Sequence, residues 1–491
     1  MCKLKKNKRN IYKNAHPYTI YTYLSRFTYL LIIPLLQYLL FAPQSIAEII
    51  GAVGVNILFV LCLVFAAVLE YRSIVYRAGR KGIYLRHGWF ARRSAHVPQR
   101  CVQSVSVQKN IFPGLFGAQK LHIDTPGSIK NKSDISLVLS YKQTGKALNV
   151  LYPQTGASYI YKSSLRRILL MAATWSNSFT GLLLFAPFIK RVGTILGQEF
   201  SEKLYEGVNL GIYIASIGLP PVAAYIAGIL VFGYFVAYIV QVARYARFSV
   251  EKRENLLLIR RGLISRNLFV TEVEKINALS GRQSILMLLF RLKSVYIHTI
   301  GSGKAKGDKS LLLPAQDKQS LERALANLSG RTLNFTVGIQ PPPKRLKSFL
   351  YLPLFCLLSV VPAAFLLNAL GLFSQILLLL LLFCIPALLI WTAFRVVAFK
   401  KTALSYNDKA VMLRGFTRMN ITENAVPFEK IQYIQVRQSI FQRRTKSCNV
   451  KVYIFSESRH AFTVKNLDYA QALQAVQKIE GQLLKAVKET P

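Results

Sequence analysis

Histidine and cysteine, the residue types that most often form metal sites and nucleophilic centres, are few and scattered in this chain of 491 residues. Its six histidines include no HExxH or other paired spacing, so each is interpreted as a surface or strand residue rather than a metal ligand. Its six cysteines include no CxxC or other close pair, which signals neither a metal site nor a disulfide framework. The sequence therefore predicts no catalytic centre, no metal and no cofactor.

One short segment resembles a phosphate-binding loop at first sight. Gly301-Ser302-Gly303-Lys304 combines glycines with a lysine, but the spacing G-x-x-x-x-G-K-[ST] is not met. The segment lies between two strand-like runs, so it is interpreted as a flexible, basic hairpin turn. No G-x-S-x-G elbow follows a strand either. These observations predict that the protein is not an enzyme.

The charge of the chain is strongly positive. It has 64 Lys and Arg residues against 21 Asp and Glu residues, a formal net charge of +43. In a soluble protein this excess would favour nucleic-acid binding. Here 52% of the residues are hydrophobic and they fall in blocks, which favours a membrane protein whose basic residues face anionic lipid headgroups. Nucleic acid is not expected as a partner.

Basic clusters outside the apolar blocks are the candidate contact sites. Near an anionic leaflet each basic residue can contribute about 1 kcal/mol to binding. The alternative, that these clusters only set the membrane topology, stays open. The candidate residues for lipid or partner contact are Arg92, Arg93, Lys344, Arg345, Lys347, Arg443, Arg444 and Lys446.

The apolar blocks come in pairs. A spanning helix needs about 20 mostly apolar residues, and six blocks approach or exceed that length, which predicts six transmembrane helices in three hairpins. The first 26 residues contain seven Lys or Arg and no acid. The positive-inside rule then places both termini and the long basic segments after each pair in the cytosol. The blocks cover residues 27–42, 46–69, 168–189, 211–240, 349–370 and 375–399.

The segment after each pair repeats one pattern. A short strand and a polar turn precede a second strand that ends in a basic residue or histidine plus glycine, at 82–88, 256–262 and 410–415. That order is typical of a β-hairpin. Alternating strands follow, at 102–108 in the first copy and over 426–436 in the third, and alternation predicts one buried face. Each copy of about 80 to 90 residues is expected to form a small β barrel.

The second and third copies end in a predicted helix. Asp317 and Asp468 are suited to cap the helix N-termini, and the apolar spacing that follows each one fits a face that covers a barrel. The first copy shows only a short counterpart near residues 145–150.

These motifs together resemble the bacterial pleckstrin-homology-like (PH-like) domains of type two, a family of membrane-flanked domains of unknown function. The strand ending in "LRxG", the "VPxxxxQSVxVxQ" strand and the "FGxxxLxIxT" strand carry the resemblance, and the first copy fits best. Three copies after three hairpins resemble the larger, YdbT-like members. The resemblance implies, for each copy, a bent seven-stranded barrel with a C-terminal helix. It implies no defined reaction.

The predicted fold is therefore an α+β membrane protein in which each of three transmembrane hairpins precedes a PH-like domain. A basic N-terminus and two linkers complete the chain. The predicted N-terminus covers residues 1–26, the hairpins 27–70, 168–242 and 349–399, the PH-like domains 71–152, 243–332 and 400–491, and the linkers 153–167 and 333–348.

The favoured function is a non-enzymatic, multi-pass scaffold in the cell membrane. Its cytosolic PH-like domains would bind a protein partner, a peptide or anionic lipid, with cell-envelope maintenance or stress response as the expected setting. A smaller, single-domain PH-like membrane protein is one expected partner. The alternative is a transporter or export component that uses the six-helix bundle, although the apolar blocks contain few polar residues to line a path.

Overall fold

The structure is a computed structural model that describes residues 12–27, 46–79, 81–127, 134–152, 156–175, 221–300, 310–335, 338–369, 374–417, 420–456 and 461–489. The chain divides into two compact units. The first unit takes in the chain up to Ser158, together with Lys252–Arg260 and Ile264–Glu272. The rest of the described chain forms the second unit.

All strand pairings that define the sheets are antiparallel. The strands are β1 (Lys13–Asn14), β2 (Val75–Gly79), β3 (Gly82–His87), β4 (Arg93–Pro98), β5 (Ser104–Lys109), β6 (Ala118–Asp124), β7 (Ile135–Ser140), β8 (Tyr159–Lys162), β9 (Ser249–Arg253), β10 (Leu256–Arg261), β11 (Arg266–Glu272), β12 (Ala278–Ser284), β13 (Lys293–His298), β14 (Leu311–Gln316), β15 (Ala403–Tyr406), β16 (Ala410–Thr417), β17 (Asn420–Pro427), β18 (Ile431–Arg437), β19 (Ser447–Ile454) and β20 (Ala461–Asp468).

The helices alternate with these strands along the chain. They are α1 (Thr19–Leu24), α2 (Ile46–Ser73), α3 (Ile111–Leu115), α4 (Tyr141–Leu151), α5 (Leu165–Trp175), α6 (Pro221–Tyr245), α7 (Ile285–Leu289), α8 (Lys318–Ser329), α9 (Leu346–Ala369), α10 (Ser374–Lys401), α11 (Ile440–Arg444) and α12 (Tyr469–Glu489). Short 3₁₀ turns cover Gln99–Cys101, Val273–Lys275, Pro343–Arg345 and Phe428–Lys430.

Each unit contains a sheet shared between two consecutive copies of the repeat. In the first unit, β5 of copy one pairs with β11 of copy two. In the second unit, the sheet order is β14-β13-β12-β17-β16-β15, so β12 of copy two pairs with β17 of copy three. The first unit also holds the sheet β1-β2-β3-β4, and the second unit the sheet β18-β19-β20. Consecutive copies are therefore joined by main-chain hydrogen bonding along strand edges.

The hydrophobic cores lie between sheet and helix, as the alternating strands predict. In the first unit, Val105, Leu121 and Ile123 from neighbouring strands pack with Leu151 of α4. The core of copy three packs the inward faces of β19 and β20 against Ala472, Val476 and Ile479 of α12. Burying an aliphatic side chain of this kind contributes about 1.5–3 kcal/mol, so these faces fix which side of each sheet is covered.

Each copy ends in a helix with a side-chain cap. Asp317 accepts a hydrogen bond from the backbone N of Ser320 at 3.1 Å, and Asp468 accepts one from the backbone N of Ala470 at 3.1 Å, which confirms the two predicted caps. In copy one the sequence indicated only a short counterpart, but α4 runs over 11 residues. Its start is a capping box, in which the Ser140 and Gln143 side chains each accept a hydrogen bond from the other's backbone N. Gly145 within it obscured this helix in the sequence.

The predicted strand over 426–436 is two strands. β17 ends at Pro427, the 3₁₀ turn Phe428–Lys430 follows, and β18 begins at Ile431. Pro427 has φ −60° and ψ 145°, an extended conformation that hides the change of direction from the alternation pattern. The two strands lie in different sheets, so this turn is where copy three passes from one sheet to the next.

The prediction of six transmembrane helices in three hairpins is wrong. Among the residues that the structure describes, one helical segment is long and apolar enough to cross a bilayer, Val53–Ser73 within α2, with 21 residues. At 1.5 Å per residue it is about 32 Å long, close to the hydrocarbon thickness of a bilayer. The described chain also forms several antiparallel sheets, as expected for PH-like domains.

The third apolar block shows why hydropathy misled. Its described part lies in α5, Leu165–Trp175, and residues 176–189 lie outside the described residues. Ile168, Met171 and Ala172 of this helix are buried, and α5 packs on β14. Apolar side chains here fill a domain core. The same holds at the foot of the last pair, where Phe394 and Ala398 of α10 form one buried cluster with Ile421 of β17.

Parts of the other predictions lie outside the described residues. These are residues 28–42 of the first apolar block, 176–189 of the third and 211–220 of the fourth, and the predicted hairpin turn at 301–304.

Candidate functional site

A cavity of 510 Å³ in the second unit is lined by fifteen residues, six of which are basic. It lies where the end of α10 meets strands of copies two and three. Six cationic and two acidic side chains in one concave site give a positive potential that attracts anions. The charged lining residues are Arg291, Lys293, Lys318, Lys400, Lys401, Arg414, Glu322 and Glu423, and we call this site the basic pocket.

The two lysines at the end of α10 are placed by the helix itself. Lys400 and Lys401 are its last two residues, and β15 begins at Ala403. The carbonyl groups at a helix C-terminus carry partial negative charge, which favours cations there. Lys401 Nζ also donates a hydrogen bond to Gln283 Oε1 of β12 at 3.4 Å. Lys401 is therefore held against β12, and Lys400 lies next to it at the end of α10.

Glu423 organises two other cations of the basic pocket. β17 places it opposite Gly281 of β12, and its carboxylate forms an ion pair with Lys293. A Cβ at Gly281 would lie 3.0 Å from Cδ of Lys293, so the glycine leaves room for the lysine stem. On the other side, Glu423 Oε1 lies 3.9 Å from Arg414 Nε. The carboxylate fixes both cations at the pocket wall while leaving the pocket net positive.

Arg414 retains capacity to bind a further acceptor. Its Nη2 donates to the backbone carbonyl of Phe335 at 3.3 Å. Its Nε is buried, and no atom in the described part of the chain accepts a hydrogen bond from it. A buried donor without an acceptor costs about 1–3 kcal/mol. An anion or a water in the pocket would remove that cost.

The pKa of Lys401 reflects its burial first and the neighbouring charges second. Burial lowers the pKa of the Lys401 ammonium, Glu423 opposes the shift, and the cations of Lys293 and Arg414 lower the pKa further. A bound anion would compensate the same positive charge. The pocket is therefore built for a ligand that brings negative charge.

A buried polar network holds the strands behind the pocket in register. The Ser280 hydroxyl donates to Asn424 Oδ1 at 2.5 Å and shares a 2.7 Å hydrogen bond with His298 Nε2. Asn424 in turn donates to the carbonyl of Leu413 at 3.3 Å. His298 was interpreted as a surface or strand residue, and it is a buried strand residue with a structural role.

The residues that the sequence singled out lie on separate surfaces. Arg92 and Arg93 are exposed at the start of β4, in the first unit. In the second unit, Lys344, Arg345 and Lys347 lie in the turn and first residues leading into α9, and Arg345 is half-buried. Arg443, Arg444 and Lys446 are exposed at the end of α11. None of these eight residues lines the basic pocket.

A second surface presents exposed aromatic side chains beside the end of α2. The turn between β3 and β4 carries Trp89 and Phe90, of which Phe90 is 90% exposed. The backbone N of Gly88, just before this turn, donates to Oγ of Ser73, the last residue of α2, at 3.0 Å. Gly88 has φ +100°, so a side chain there would be strained. Aromatic side chains at the end of an apolar span are typical of a membrane–water interface.

In each copy, the strand after the 3₁₀ turn is followed by a short helix with exposed apolar side chains. In copy one, Phe112 and Leu115 of α3 are exposed, in copy two Leu289 of α7, and in copy three Ile440 and Phe441 of α11. Contiguous exposed apolar residues mark membrane or protein contacts. Arg443 and Arg444 lie in the same short helix as Ile440 and Phe441, and their role as contact residues stays a prediction.

Sequence reasoning did not find the basic pocket. Lys293 belongs to copy two, whereas Lys401 and Arg414 belong to copy three, more than 100 residues further along the chain. The available signal was Lys400-Lys401 at the end of an apolar block, followed at once by a strand. Within the described residues, no group of three or more His, Cys, Asp or Glu could hold a metal ion.

Comparison with known proteins identifies the repeats. The family model described as "Bacterial PH domain" matches residues 29–153, 207–332 and 352–480. The chain is 23% identical over 441 residues to the "UPF0699 transmembrane protein YdbT" of Bacillus subtilis (strain 168), which covers 83% of this chain and 85% of that protein. The three-copy resemblance is thereby confirmed, and the exposed span in α2 agrees with a membrane-associated protein. The chain belongs to the bacterial PH domain family.

Proposed function

We propose that this protein is a non-enzymatic membrane scaffold whose basic pocket binds the headgroup of an anionic lipid. The observation that carries the proposal is the set of six cations around one cavity, two of them at the end of α10. A phosphodiester offers one negative charge and several acceptor oxygens, which suits lysine and arginine donors. Zwitterionic headgroups carry a compensating ammonium and would be bound more weakly.

The membrane part of the proposal rests on α2 and the aromatic turn. Large apolar side chains of Val53–Ser73, such as Leu61 and Phe65, are exposed, and lipid would cover them. Trp89 and Phe90 would then lie at the interface. The excess of Lys and Arg in the β-rich domains favours the cytosolic side for both domains and termini.

We expect the scaffold to bind proteins through its exposed apolar surfaces. The exposed apolar side chains of α3 and α11 suit a partner that also lies at the membrane, and a smaller, single-domain PH-like membrane protein is the partner we expect. Cell-envelope maintenance or stress response is the setting that such a scaffold would serve. No reaction is proposed, because the sequence motifs offer no catalytic constellation.

The experiment is a calorimetric titration of the full-length protein in detergent with dihexanoyl phosphatidylglycerol, against dihexanoyl phosphatidylcholine. We expect saturable binding of the anionic lipid and at least about tenfold weaker binding of the zwitterionic one. The double substitution Lys400→Gln/Lys401→Gln should weaken binding of the anionic lipid by about 2 kcal/mol, roughly 30-fold in affinity.

The matched control is Arg443→Gln/Arg444→Gln, which removes the same charge from an exposed helix of the same unit. It should leave the affinity for the anionic lipid within about twofold. Equal binding of both lipids would refute headgroup recognition. If the control loses lipid binding while Lys400→Gln/Lys401→Gln retains it, the lipid site lies on α11 instead.

A further inference from the structure

The two junctions between consecutive copies use one geometry. In the first unit, Val105 of β5 lies opposite Val270 of β11. In the second unit, Leu279 of β12 lies opposite Ala425 of β17. Val105 comes six residues after Gln99, where the 3₁₀ turn of its own copy begins, and Leu279 comes six residues after Val273, the start of the equivalent turn.

In both junctions, the partner residue on the other strand lies at the same distance from the 3₁₀ turn of its own copy. Val270 lies three residues before the turn that begins at Val273, and Ala425 three residues before the turn that begins at Phe428. Both junctions therefore have the same register, although the paired side chains differ. The register is a property of the repeat, set by the distance from each turn rather than by one residue pair.

Each of the two types of strand that form a junction has one further counterpart among the described strands. β18 is the copy-three strand equivalent to β5 and β12, and it is the edge strand of the sheet β18-β19-β20. β4 is the copy-one strand equivalent to β11 and β17, and it is the edge strand of the sheet β1-β2-β3-β4. Within their own sheets, both strands present main-chain groups with which an added strand could pair.

The side chains of these two strands are exposed where their equivalents are buried. Tyr433 of β18 is 53% exposed, whereas Ser104 and Ala278, at the same place in copies one and two, are fully buried. On β4, His96 is exposed, whereas the equivalent Val270 is buried. A strand laid along each edge would cover these positions in the way that the next copy covers them at the two junctions.

We infer that β18 of one molecule pairs with β4 of a second copy of this chain, in the register of the two internal junctions. The repeat count places Ile434 opposite His96, Tyr433 opposite Val97, and Arg437 opposite Arg93. A head-to-tail contact of this kind extends the row of repeats from one molecule to the next, as an open row or a closed ring. A second copy is the occupant because β4, in the described part of the chain, is the edge strand that matches the junction partners β11 and β17.

The pair Arg437–Arg93 opposes like charges and is unfavourable. The first internal junction tolerates a similar pair, Lys109 opposite Arg266. Edge arginines also discourage indiscriminate strand pairing. The repulsion makes the contact weak enough to be reversible, and it provides a sharp test of the register because each arginine is exposed and can be exchanged singly.

The test is photocrosslinking in native membranes of cells that express two differently tagged full-length copies. A benzoylphenylalanine replaces Tyr433 in one copy, and crosslinked peptides are identified by mass spectrometry. We expect crosslinks to the segment around residues 93–98 of the other copy. The same probe at Tyr469, which begins α12, is the matched control and should give none there.

Charge exchange tests the register. Arg93→Glu or Arg437→Glu alone should raise the crosslink yield about two- to fivefold, because each creates an ion pair, provided that both copies carry the substitution. When every copy carries Arg93→Glu/Arg437→Glu, two glutamates face each other across the contact. The repulsion between like charges should then return the yield to the wild-type level. Additive gains in the double variant, crosslinks only within one copy, crosslinks to another protein, or no crosslink at all would each overturn the inference.

Discussion

At the residue scale, the second unit combines an apolar core with a charged pocket. Cys448 at the start of β19 is fully buried among the apolar side chains of copy three. Burial raises the pKa of its thiol to about 11, with a smaller contribution from the charge of Asp468. The thiolate is the nucleophilic form of cysteine, so both burial and the suppressed ionisation of the thiol protect this side chain.

We therefore expect alkylation of Cys448 in the native full-length protein at pH 8 to be far slower than that of Cys101, which is half-buried. Mass spectrometry of each cysteine over time measures the two rates. Labelling of Cys448 as fast as Cys101 in the folded protein would contradict the packing of copy three. Unfolded protein, in which both thiols are accessible, is the control.

The same pKa predicts a dependence of stability on pH. The thiol ionises near 9.0 when unfolded and near 11 when folded, so the folded state binds the proton more tightly. Its stabilising contribution is fully present below pH 9 and is lost as pH rises to 11, by about 2–3 kcal/mol. Cys448→Ala should flatten that part of the thermal-stability profile.

Residue-scale prediction from the sequence succeeded where the signal is local. The caps at Asp317 and Asp468 were predictable because an N-cap and its helix are adjacent in the chain. The basic pocket was not, because Lys293 and Arg414 meet only through the pairing of β12 with β17. That pairing depends on a register between copies, which no local pattern displays.

At the element scale, the repeats resemble each other more in structure than in sequence. Each copy changes sheets at a 3₁₀ turn and ends in a capped helix. Alternation predicted most strands, since a half-buried strand has a period of two. It failed at Pro427, where an extended residue leads into a turn, and at α4, where Gly145 weakened the helical signal.

The capping box of α4 gives a prediction at this scale. Ser140→Ala removes the side-chain acceptor for the backbone N of Gln143 and should destabilise the first copy by about 1 kcal/mol. Thermal unfolding of the full-length protein in detergent measures the change. Ser439→Ala, at the capping box of the five-residue α11, is the matched variant and should have a smaller effect. Equal losses of stability in the two variants would contradict a larger stabilising contribution from the cap of α4.

At the scale of the whole molecule, hydropathy overstated the number of spans. It treats apolar side chains alike, whether they face lipid or a domain core, and in α5 they face a core. The family and the repeat organisation were predictable because three copies of one pattern are improbable by chance. The remaining span, Val53–Ser73, has its apolar side chains exposed, as membrane association requires.

The central claim is that a membrane-associated protein of this family holds anionic lipid in the basic pocket. Native mass spectrometry of the full-length protein, extracted from its membrane in mild detergent, tests it most directly. We predict that anionic phospholipid stays bound to the wild type and to Arg443→Gln/Arg444→Gln, and is lost from Lys400→Gln/Lys401→Gln. The same bound lipids on all three proteins, or none on any, would contradict the claim.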